Sequence, residues 1–435
     1  MLPILHQSYW RDEVFSVLLA SRSLKEVFFL TIKDVHPPLY YFLLHFWIKL
    51  FGDLEYVTRS LSLFCHFLLV ISCFFLIRHL LKSWKPALLG ALAILFNPFL
   101  IEYAFETRAY LLFALLVIVA VFLYFKKRRF LSSFFWSFVL LTHNFGVFFW
   151  GSFLSFWIYK NKKQLKQKIK EASLLFALPI LVFLGWLRFL WDQWVEIAGG
   201  FWIEPKTSSI FVDTFRAFFQ GSRDYPSKGM FYNLALALVF IAFSYFVVRS
   251  VRKKSSDKRP ELPLVFLFSI PFLIVYVIST FWVPIFHERL LIPVLPLFIV
   301  WVTYSLYRLS DLTNSLSYVI LALAVAYVLF GVQSTEEIMR EATKPAVNYG
   351  VEQTLLKAQD GDVLIPESIL NFLEVKYYVG KSGRDVSVYA HSSSKEIPFY
   401  LGSVLFDKGE IITDYPQGKR VWVVKPDGGY YLYSY

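Results

Sequence analysis

The stretch RAYLLFALLVIVAVFLYF occupies residues 108–125, and the basic run KKRR follows directly at 126–129. From Tyr110 onward this stretch carries no charge, and its length is close to the roughly 20 residues that a helix needs to cross about 30 Å of hydrocarbon. Similar apolar runs recur from residue 57 to residue 333. The sequence therefore predicts a polytopic α-helical membrane protein.

The composition supports this prediction. The chain of 435 residues is 57% apolar and 20% aromatic, and only 17% of its residues are charged, whereas soluble domains average about 25%. Its net charge of +12 does not indicate a nucleic-acid partner, because the basic residues fall mostly in short loops between apolar runs. Cys65 and Cys73 lie inside one apolar run and indicate neither a disulfide framework nor a metal site.

About ten spans are predicted, near residues 57–80, 86–105, 108–125, 130–142, 145–159, 172–191, 231–249, 263–283, 289–307 and 316–333. Basic clusters occur in every second loop, so the positive-inside rule places those loops in the cytoplasm and the alternate loops outside. Basic runs on both sides of 130–159 require an even number of crossings there. We therefore predict two short helices that turn at Thr142-His143-Asn144.

Both ends of the chain differ from the spans. Residues 1–56 are predicted to form a first outer loop, with an amphipathic helix at about 14–30 and a re-entrant or interfacial helix at 37–51. Residues 57–333 form the predicted transmembrane domain. Residues 334–435 are predicted to form a small extracytoplasmic α/β domain, with a helix near 344–359 and strands at 362–365 and 420–424.

Asp12 and Glu13 are the first candidates for chemistry. Two carboxylates at a membrane surface could supply a general base for an acceptor hydroxyl and a contact that orients it. They could equally mark a helix N-terminus, where acidic residues interact favourably with the helix dipole. Spacing alone leaves both interpretations open.

Other polar residues fall on the same predicted outer face. Arg108 has a planar guanidinium suited to a phosphate or diphosphate, or it pairs with Glu106 or Glu102 while snorkelling. His287-Glu288-Arg289 opens an apolar helix and either faces a water-filled cavity or is a charge cluster in a loop. For His143 a structural hydrogen bond is the default interpretation, and for Arg59 a snorkelling anchor. Chance would scatter such residues, and their convergence on one face favours a functional site.

Several motifs appear in order over residues 9–300, and their combination resembles a known family. The matching motifs are Asp12-Glu13, Asp34-Val35-His36-Pro37-Pro38-Leu39-Tyr40-Tyr41, Leu50-Phe51-Gly52, Glu55, Arg59-Ser60-Leu61-Ser62, Glu106-Thr107-Arg108-Ala109-Tyr110, Thr142-His143, Phe201-Trp202-Ile203-Glu204-Pro205 and Arg289 with its Leu-Pro tail. They resemble the bacterial dolichyl-phosphate-mannose-protein mannosyltransferase-like proteins of the GT-C superfamily. Members normally begin with a spanning helix before the acidic pair, whereas eleven residues precede Asp12 here, so either the recorded start is late or the chain is a shortened member.

The resemblance implies transfer of a sugar from a polyprenyl-phosphate carrier to a glycan, lipid or protein acceptor on the outer side of a bacterial cell membrane. It implies that Asp12 is the catalytic base and that Glu13 is its partner in binding or orienting the acceptor. It also implies that Arg108 and Arg289 contact the carrier phosphate, with Arg59 and His143 as further phosphate contacts. The candidates for substrate binding are Asp34, His36, Tyr110, His287 and Glu288.

The expected reaction is a single displacement that inverts the anomeric centre. No clear metal-ligand spacing is present and two arginines can neutralise the leaving phosphate, so we expect no metal or other cofactor. Three alternatives stay open. They are a lipid-linked saccharide transporter or flippase, although no convincing repeat is seen; an O-antigen ligase or polymerase; and a membrane anchor that displays the C-terminal domain.

Overall fold

The computed structural model describes residues 3–200, 202–203, 209–221, 228–251, 260–310, 314–341, 346–393 and 397–433. The chain divides into two compact units. The first, which we call the terminal unit, combines the two ends of the chain: Met1–Leu61, Glu106–Arg108 and Ala342–Tyr435. The second, the bundle unit, consists of Ser62–Phe105 and Ala109–Glu341.

The N-terminal part of the terminal unit is helical. Its helices are α1 (Pro3–His6), α2 (Arg11–Ala20), α3 (Leu24–Lys33), α4 (Leu39–Phe51) and the first turns of α5 (Glu55–Leu81). The prediction of one helix over about 14–30 is wrong, because a break separates α2 from α3. Ser23 causes the break by capping α3: its side chain accepts from Glu26 N at 3.3 Å, and the Glu26 carboxylate accepts from Ser23 N at 3.0 Å. This reciprocal pairing satisfies two backbone donors that would otherwise lack a partner.

The C-terminal part of the terminal unit is a small α/β fold, as predicted. Its elements are α17 (Val347–Lys357), β1 (Val363–Pro366), α18 (Phe372–Ser382), β2 (Ser387–Val388), β3 (Ala390–His391), β4 (Ile411–Ile412), β5 (Val421–Val424) and β6 (Tyr430–Tyr433). The larger sheet has the order β2-β1-β5-β6, and only the β5–β6 pairing is antiparallel. Every residue of β1 and β5 is buried. Leu364 and Trp422 pack with Val351 and Val375 of the helices in one core.

The bundle unit contains helices only among its described residues. They are the rest of α5, then α6 (Trp84–Leu95), α7 (Pro98–Ala104), α8 (Tyr110–Phe125), α9 (Arg129–Thr142), α10 (Gly146–Asn161), α11 (Ile169–Gly199), α12 (Ile210–Gln220), α13 (Lys228–Val251), α14 (Leu262–Phe281), α15 (Val294–Ser310) and α16 (Asn314–Glu341). Each predicted span coincides with one or two of these helices. Tyr110–Phe125 of the opening stretch is one uninterrupted helix, and the predicted turn at residues 142–144 separates α9 from α10.

Length and composition identify the helices that can cross a membrane. Within the described residues five helices pass that test, and a sixth crossing is possible if α6 and α7, which are bent by 59°, count as one broken span. Three bundle helices, α8, α9 and α15, are apolar but shorter than 18 residues. The chain is a multi-pass membrane protein, and the number of ten spans stays a prediction.

Candidate functional site

The acidic motif lies in the first turn of α2. Trp10 is the N-cap residue, and its backbone N–H donates to the Glu13 carboxylate at 3.4 Å. The helix N-terminus that we considered as an alternative to chemistry is therefore present. The two carboxylates nevertheless differ, because Glu13 is completely buried whereas the Asp12 side chain keeps 16% of its surface exposed.

Glu13 forms a buried ion pair with Arg59. Arg59 Nε donates to Glu13 Oε1 at 2.9 Å, and Nη2 donates to Oε2 at 2.8 Å, which is a bidentate arrangement. The backbone N–H of Thr107 also donates to Glu13 Oε1, at 3.0 Å. Glu13 thus joins α2 to α5 and to the Glu106–Arg108 segment.

The other N–H groups of Arg59 donate to backbone carbonyls near the N-terminus of the chain. Its Nη1 donates to the carbonyls of Ile4, Leu5 and Gln7 at 3.2, 2.9 and 2.7 Å, and its Nη2 donates to that of Ser8 at 3.1 Å. Arg59 is 0% exposed, so the interpretation of a snorkelling anchor is wrong. All five N–H groups have acceptors inside the protein, and this argues against the predicted contact between Arg59 and a carrier phosphate.

Arg108 lies against the first turn of α2. Its Nη1 donates to the Asp12 carbonyl at 3.1 Å and to Ser16 Oγ at 3.2 Å, and only 7% of the residue is exposed. The predicted base and one predicted phosphate contact therefore lie side by side, although 96 residues separate them in the chain. Their chemical roles stay predictions.

Asp34 and His36 complete this cluster. His36 Nδ1 is 2.6 Å from Asp34 Oδ2, and His36 Nε2 is 3.3 Å from Arg108 Nη2. Because a guanidinium can only donate, Nε2 accepts and the Nδ1–H group donates to Asp34. The structure thus brings four predicted residues together, Asp12, Asp34, His36 and Arg108, and we call them the acidic cluster.

The remaining predicted residues lie in the bundle unit, where the Arg289 guanidinium lies near two aromatic rings. Its Cζ is 4.9 Å from the centre of the Trp202 ring and 5.9 Å from that of Tyr110. The His287 ring is 5.4 Å from the Trp202 ring, and His287 Nδ1 is 3.3 Å from Glu288 Oε2. Trp202 belongs to the motif at 201–205, whose Phe201, Glu204 and Pro205 lie outside the described residues.

His143 lies at the tip of the α9–α10 hairpin. Its ring stacks on Phe113 at 5.1 Å and is 6.4 Å from the Tyr110 ring. Its Nδ1 accepts from the Phe145 N–H at 3.1 Å, which stabilises the turn. This geometry supports the structural interpretation of His143 and places it next to Tyr110, whose ring also lies near Arg289.

A chain of buried hydroxyls that the sequence did not predict lies beside the acidic motif. Tyr9 OH is 2.7 Å from Thr58 Oγ1, which is 2.9 Å from Thr107 Oγ1, and all three residues are buried. Burial raises the pKa of the Tyr9 phenol well above its usual value, so this group stays protonated and acts as a donor. The only available signal was that Thr107 lies in the Glu106–Tyr110 motif.

Solved structures identify the fold. ArnT from Cupriavidus metallidurans in the apo state matches with a TM-score of 0.67 and 11% identity, over 98% of this chain and 90% of that chain. The same enzyme bound to undecaprenyl phosphate matches with a TM-score of 0.61 and 12% identity, with the same coverage. The Archaeoglobus fulgidus oligosaccharyltransferase in the apo form matches with a TM-score of 0.51 and 12% identity, over 88% of this chain and 61% of that chain. The fold is therefore that of the GT-C glycosyltransferases.

A comparison of the sequence with family models is more specific than the fold. Residues 35–186 match the family model described as dolichyl-phosphate-mannose-protein mannosyltransferase. The chain is therefore similar to this family over these residues, as its motifs predicted. No curated protein matches the sequence.

Proposed function

We propose that this protein is a glycosyltransferase that moves a sugar from a polyprenyl-phosphate carrier to an acceptor hydroxyl on the outer side of a bacterial membrane. The observation that carries the proposal is the position of Asp12 beside Arg108, because the reaction needs a proton acceptor and a cation for the leaving phosphate. The similarity to an enzyme solved with undecaprenyl phosphate supports a carrier of this class.

Asp12 is the base in this proposal. The acceptor hydroxyl oxygen attacks the anomeric carbon and gives its proton to the Asp12 carboxylate. The bond between the anomeric carbon and the phosphate oxygen breaks, and its electron pair stays on the phosphate. A single displacement of this kind inverts the anomeric centre.

Arg108 is the proposed contact for the phosphate in the terminal unit, and it contributes a few kcal/mol to the stabilisation of the leaving group. For Arg289, in the bundle unit, a phosphate contact stays the prediction made from the sequence. Asp34 and His36 orient Arg108, since His36 accepts from the guanidinium and donates to Asp34. Glu13 and Arg59 support the acidic cluster without contacting substrate, because their polar atoms pair with one another and with the backbone. In this proposal Glu13 and Arg59 therefore have a structural role, in place of the predicted contacts with the acceptor and the phosphate.

Metal independence is part of the proposal. Among the described residues, no group of three or more His, Cys, Asp or Glu side chains could hold a metal ion. The guanidinium groups predicted to contact the phosphate carry positive charge without a metal ion. Transfer that needs an added divalent cation, or stops after chelation, would contradict this part of the proposal.

The function is tested with purified protein, a panel of polyprenyl-phosphate hexoses and pentoses, and candidate acceptors. We expect Asp12→Asn to lower turnover by at least about a hundredfold, because a general base typically contributes that much. Asp360→Asn is the matched control, since the Asp360 side chain is 77% exposed in the same unit. Undiminished turnover in Asp12→Asn removes Asp12 from catalysis, and movement of the carrier across a bilayer without transfer favours the flippase.

A further inference from the structure

One face of α18 contacts the segment that leads into the acidic motif. Glu374, Tyr377, Tyr378 and Lys381 follow the spacing i, i+3, i+4 and i+7, which places them on one side of the helix. They belong to the C-terminal α/β fold, yet they lie in the same compact unit as Asp12. We call these four residues the α18 face.

Tyr378 makes the most direct connection. Its hydroxyl accepts from the backbone N–H of Tyr9 at 2.8 Å and donates to Glu55 Oε1 at 2.8 Å. Tyr9 lies three residues before Asp12, and Glu55 is the first residue of α5. One hydroxyl therefore links the start of the acidic motif to the helix that carries Arg59.

Tyr377 and Lys381 reinforce this link through Asp53. The hydroxyls of Tyr377 and Tyr9 both donate to the Asp53 carbonyl at 2.9 Å, and the two rings meet edge to face at 5.4 Å. Lys381 Nζ is 2.5 Å from Asp53 Oδ1. The backbone before Asp12 is thus held at several points by side chains from α18.

Glu374 lies one turn earlier on α18, where that helix packs on α2. It is 1% exposed, accepts a hydrogen bond from Asn371 Nδ2, and interacts electrostatically with Arg11, Asp12 and Glu13. The C-terminal fold also contacts α2 closely at Gly402, whose φ is +78°. A Cβ at this position would lie 2.8 Å from the ring of Phe15 on α2. Burial raises the pKa of Glu374 to about 7, so its charge state changes near neutral pH beside the proposed base.

We propose that the α18 face positions the Asp12 carboxylate for sugar transfer, with Tyr378 and Glu374 as positioning residues that do not touch substrate. The inference rests on the proposed function. It gives the C-terminal fold a part in catalysis, because a catalytic group must be held within about 0.5 Å of its productive position by its supporting residues. A fold that only displays a binding surface would not bond to the backbone of the acidic segment.

The first test is Tyr378→Phe, which removes one hydroxyl and leaves the ring in place. We expect kcat to fall by about tenfold or more, with the KM for the polyprenyl-phosphate sugar changed less than about twofold. Tyr349→Phe is the matched control, because Tyr349 is 56% exposed on α17. A variant that keeps the wild-type kcat, or that loses affinity for the donor with kcat unchanged, overturns the proposal.

The second test is Glu374→Gln, which removes the ionisation and keeps the shape. We expect the pH profile of kcat between about pH 5 and 8 to lose the dependence that comes from Glu374, which a purely structural contact would not change. Arg11, Asp12 and Glu13 are the charged groups that face Glu374 from α2, and all three are retained in the variant. A pH profile identical to that of the wild type removes Glu374 from the positioning role.

Hydrogen exchange separates failure of this inference from failure of the proposed function. Amides in residues 9–16 should exchange at least about tenfold faster in Tyr378→Phe than in the wild type or in Tyr349→Phe, because the loss of an anchoring bond raises local opening. If the wild type transfers no sugar, the proposed function fails, and unchanged exchange in residues 9–16 then independently overturns the positioning role.

Discussion

Arg59 in the terminal unit and Arg289 in the bundle unit are held in contrasting ways. Arg59 donates along the edge of its guanidinium to the Glu13 carboxylate and to four backbone carbonyls. Arg289 has its Cζ 4.9 Å from the centre of the Trp202 ring and 5.9 Å from that of Tyr110. Hydrogen bonds to buried acceptors fix the position of a guanidinium, whereas an attraction to an aromatic ring is weaker and less directional. The comparison teaches that Arg59 organises the fold through internal hydrogen bonds, whereas Arg289 lies beside aromatic rings and its contact with a phosphate stays a prediction.

The largest expected effect tests the structural side of this comparison. Arg59→Gln should destabilise the terminal unit by about 3–5 kcal/mol, because it leaves the fully buried Glu13 carboxylate without its cation. Thermal unfolding in detergent, followed by a probe in the terminal unit, measures this loss. The double variant Arg59→Met with Glu13→Leu should recover part of it, since no unpaired charge remains. A stable Arg59→Gln variant would show that the pair does not hold the unit together.

The second effect concerns Glu374 and depends on pH. The folded-state pKa of about 7 lies above the ordinary value of 4.5, so the folded state binds more protons than the unfolded state between these values. Stability from this group is therefore complete below about pH 4.5 and is lost as pH rises to about 7, by roughly 3 kcal/mol. Unfolding curves of the wild type and Glu374→Gln between pH 4 and 8 measure it. If the difference in unfolding free energy between the two proteins does not change with pH, the raised pKa of Glu374 is contradicted.

The third effect tests the functional side of the comparison. Arg289→Gln should weaken the binding of a polyprenyl phosphate by about ten- to a hundredfold, because one charge-assisted contact is lost. Its unfolding temperature should change far less than that of Arg59→Gln. Binding measured in detergent with the carrier phosphate alone checks this, with Arg340→Gln as the exposed control. If Arg289→Gln instead unfolds the protein and leaves binding intact, the two arginines do not differ as described.

The smallest effect concerns an exposed ion pair in the terminal unit. Lys381 pairs with Asp53, and their side chains are 44% and 27% exposed, so water and salt screen the interaction. Lys381→Met should lower the free energy of unfolding by about 1 kcal/mol or less, and the difference should shrink at high salt. A loss comparable to that of Arg59→Gln would show that exposure is a poor guide to the strength of these contacts.

Much of the architecture could be predicted from local patterns. The strands at 362–365 and 420–424 were identified by their apolar runs and pair in parallel as β1 and β5. The turn after Thr142 follows from the basic runs that flank the hairpin. The break between α2 and α3 was missed, although the spacing of Ser23 and Glu26 is a recognisable capping signal.

The sequence by itself determined the apolar helices, the small C-terminal α/β fold and the family motifs, because hydropathy and turn chemistry act over a few neighbouring residues. Tertiary structure alone decided which partners the polar residues contact. Glu13 meets Arg59 across 46 residues, and Tyr9 meets Tyr378 across 369 residues. The partner of a buried charge or hydroxyl is set by which helices pack together, and no local pattern encodes that pairing.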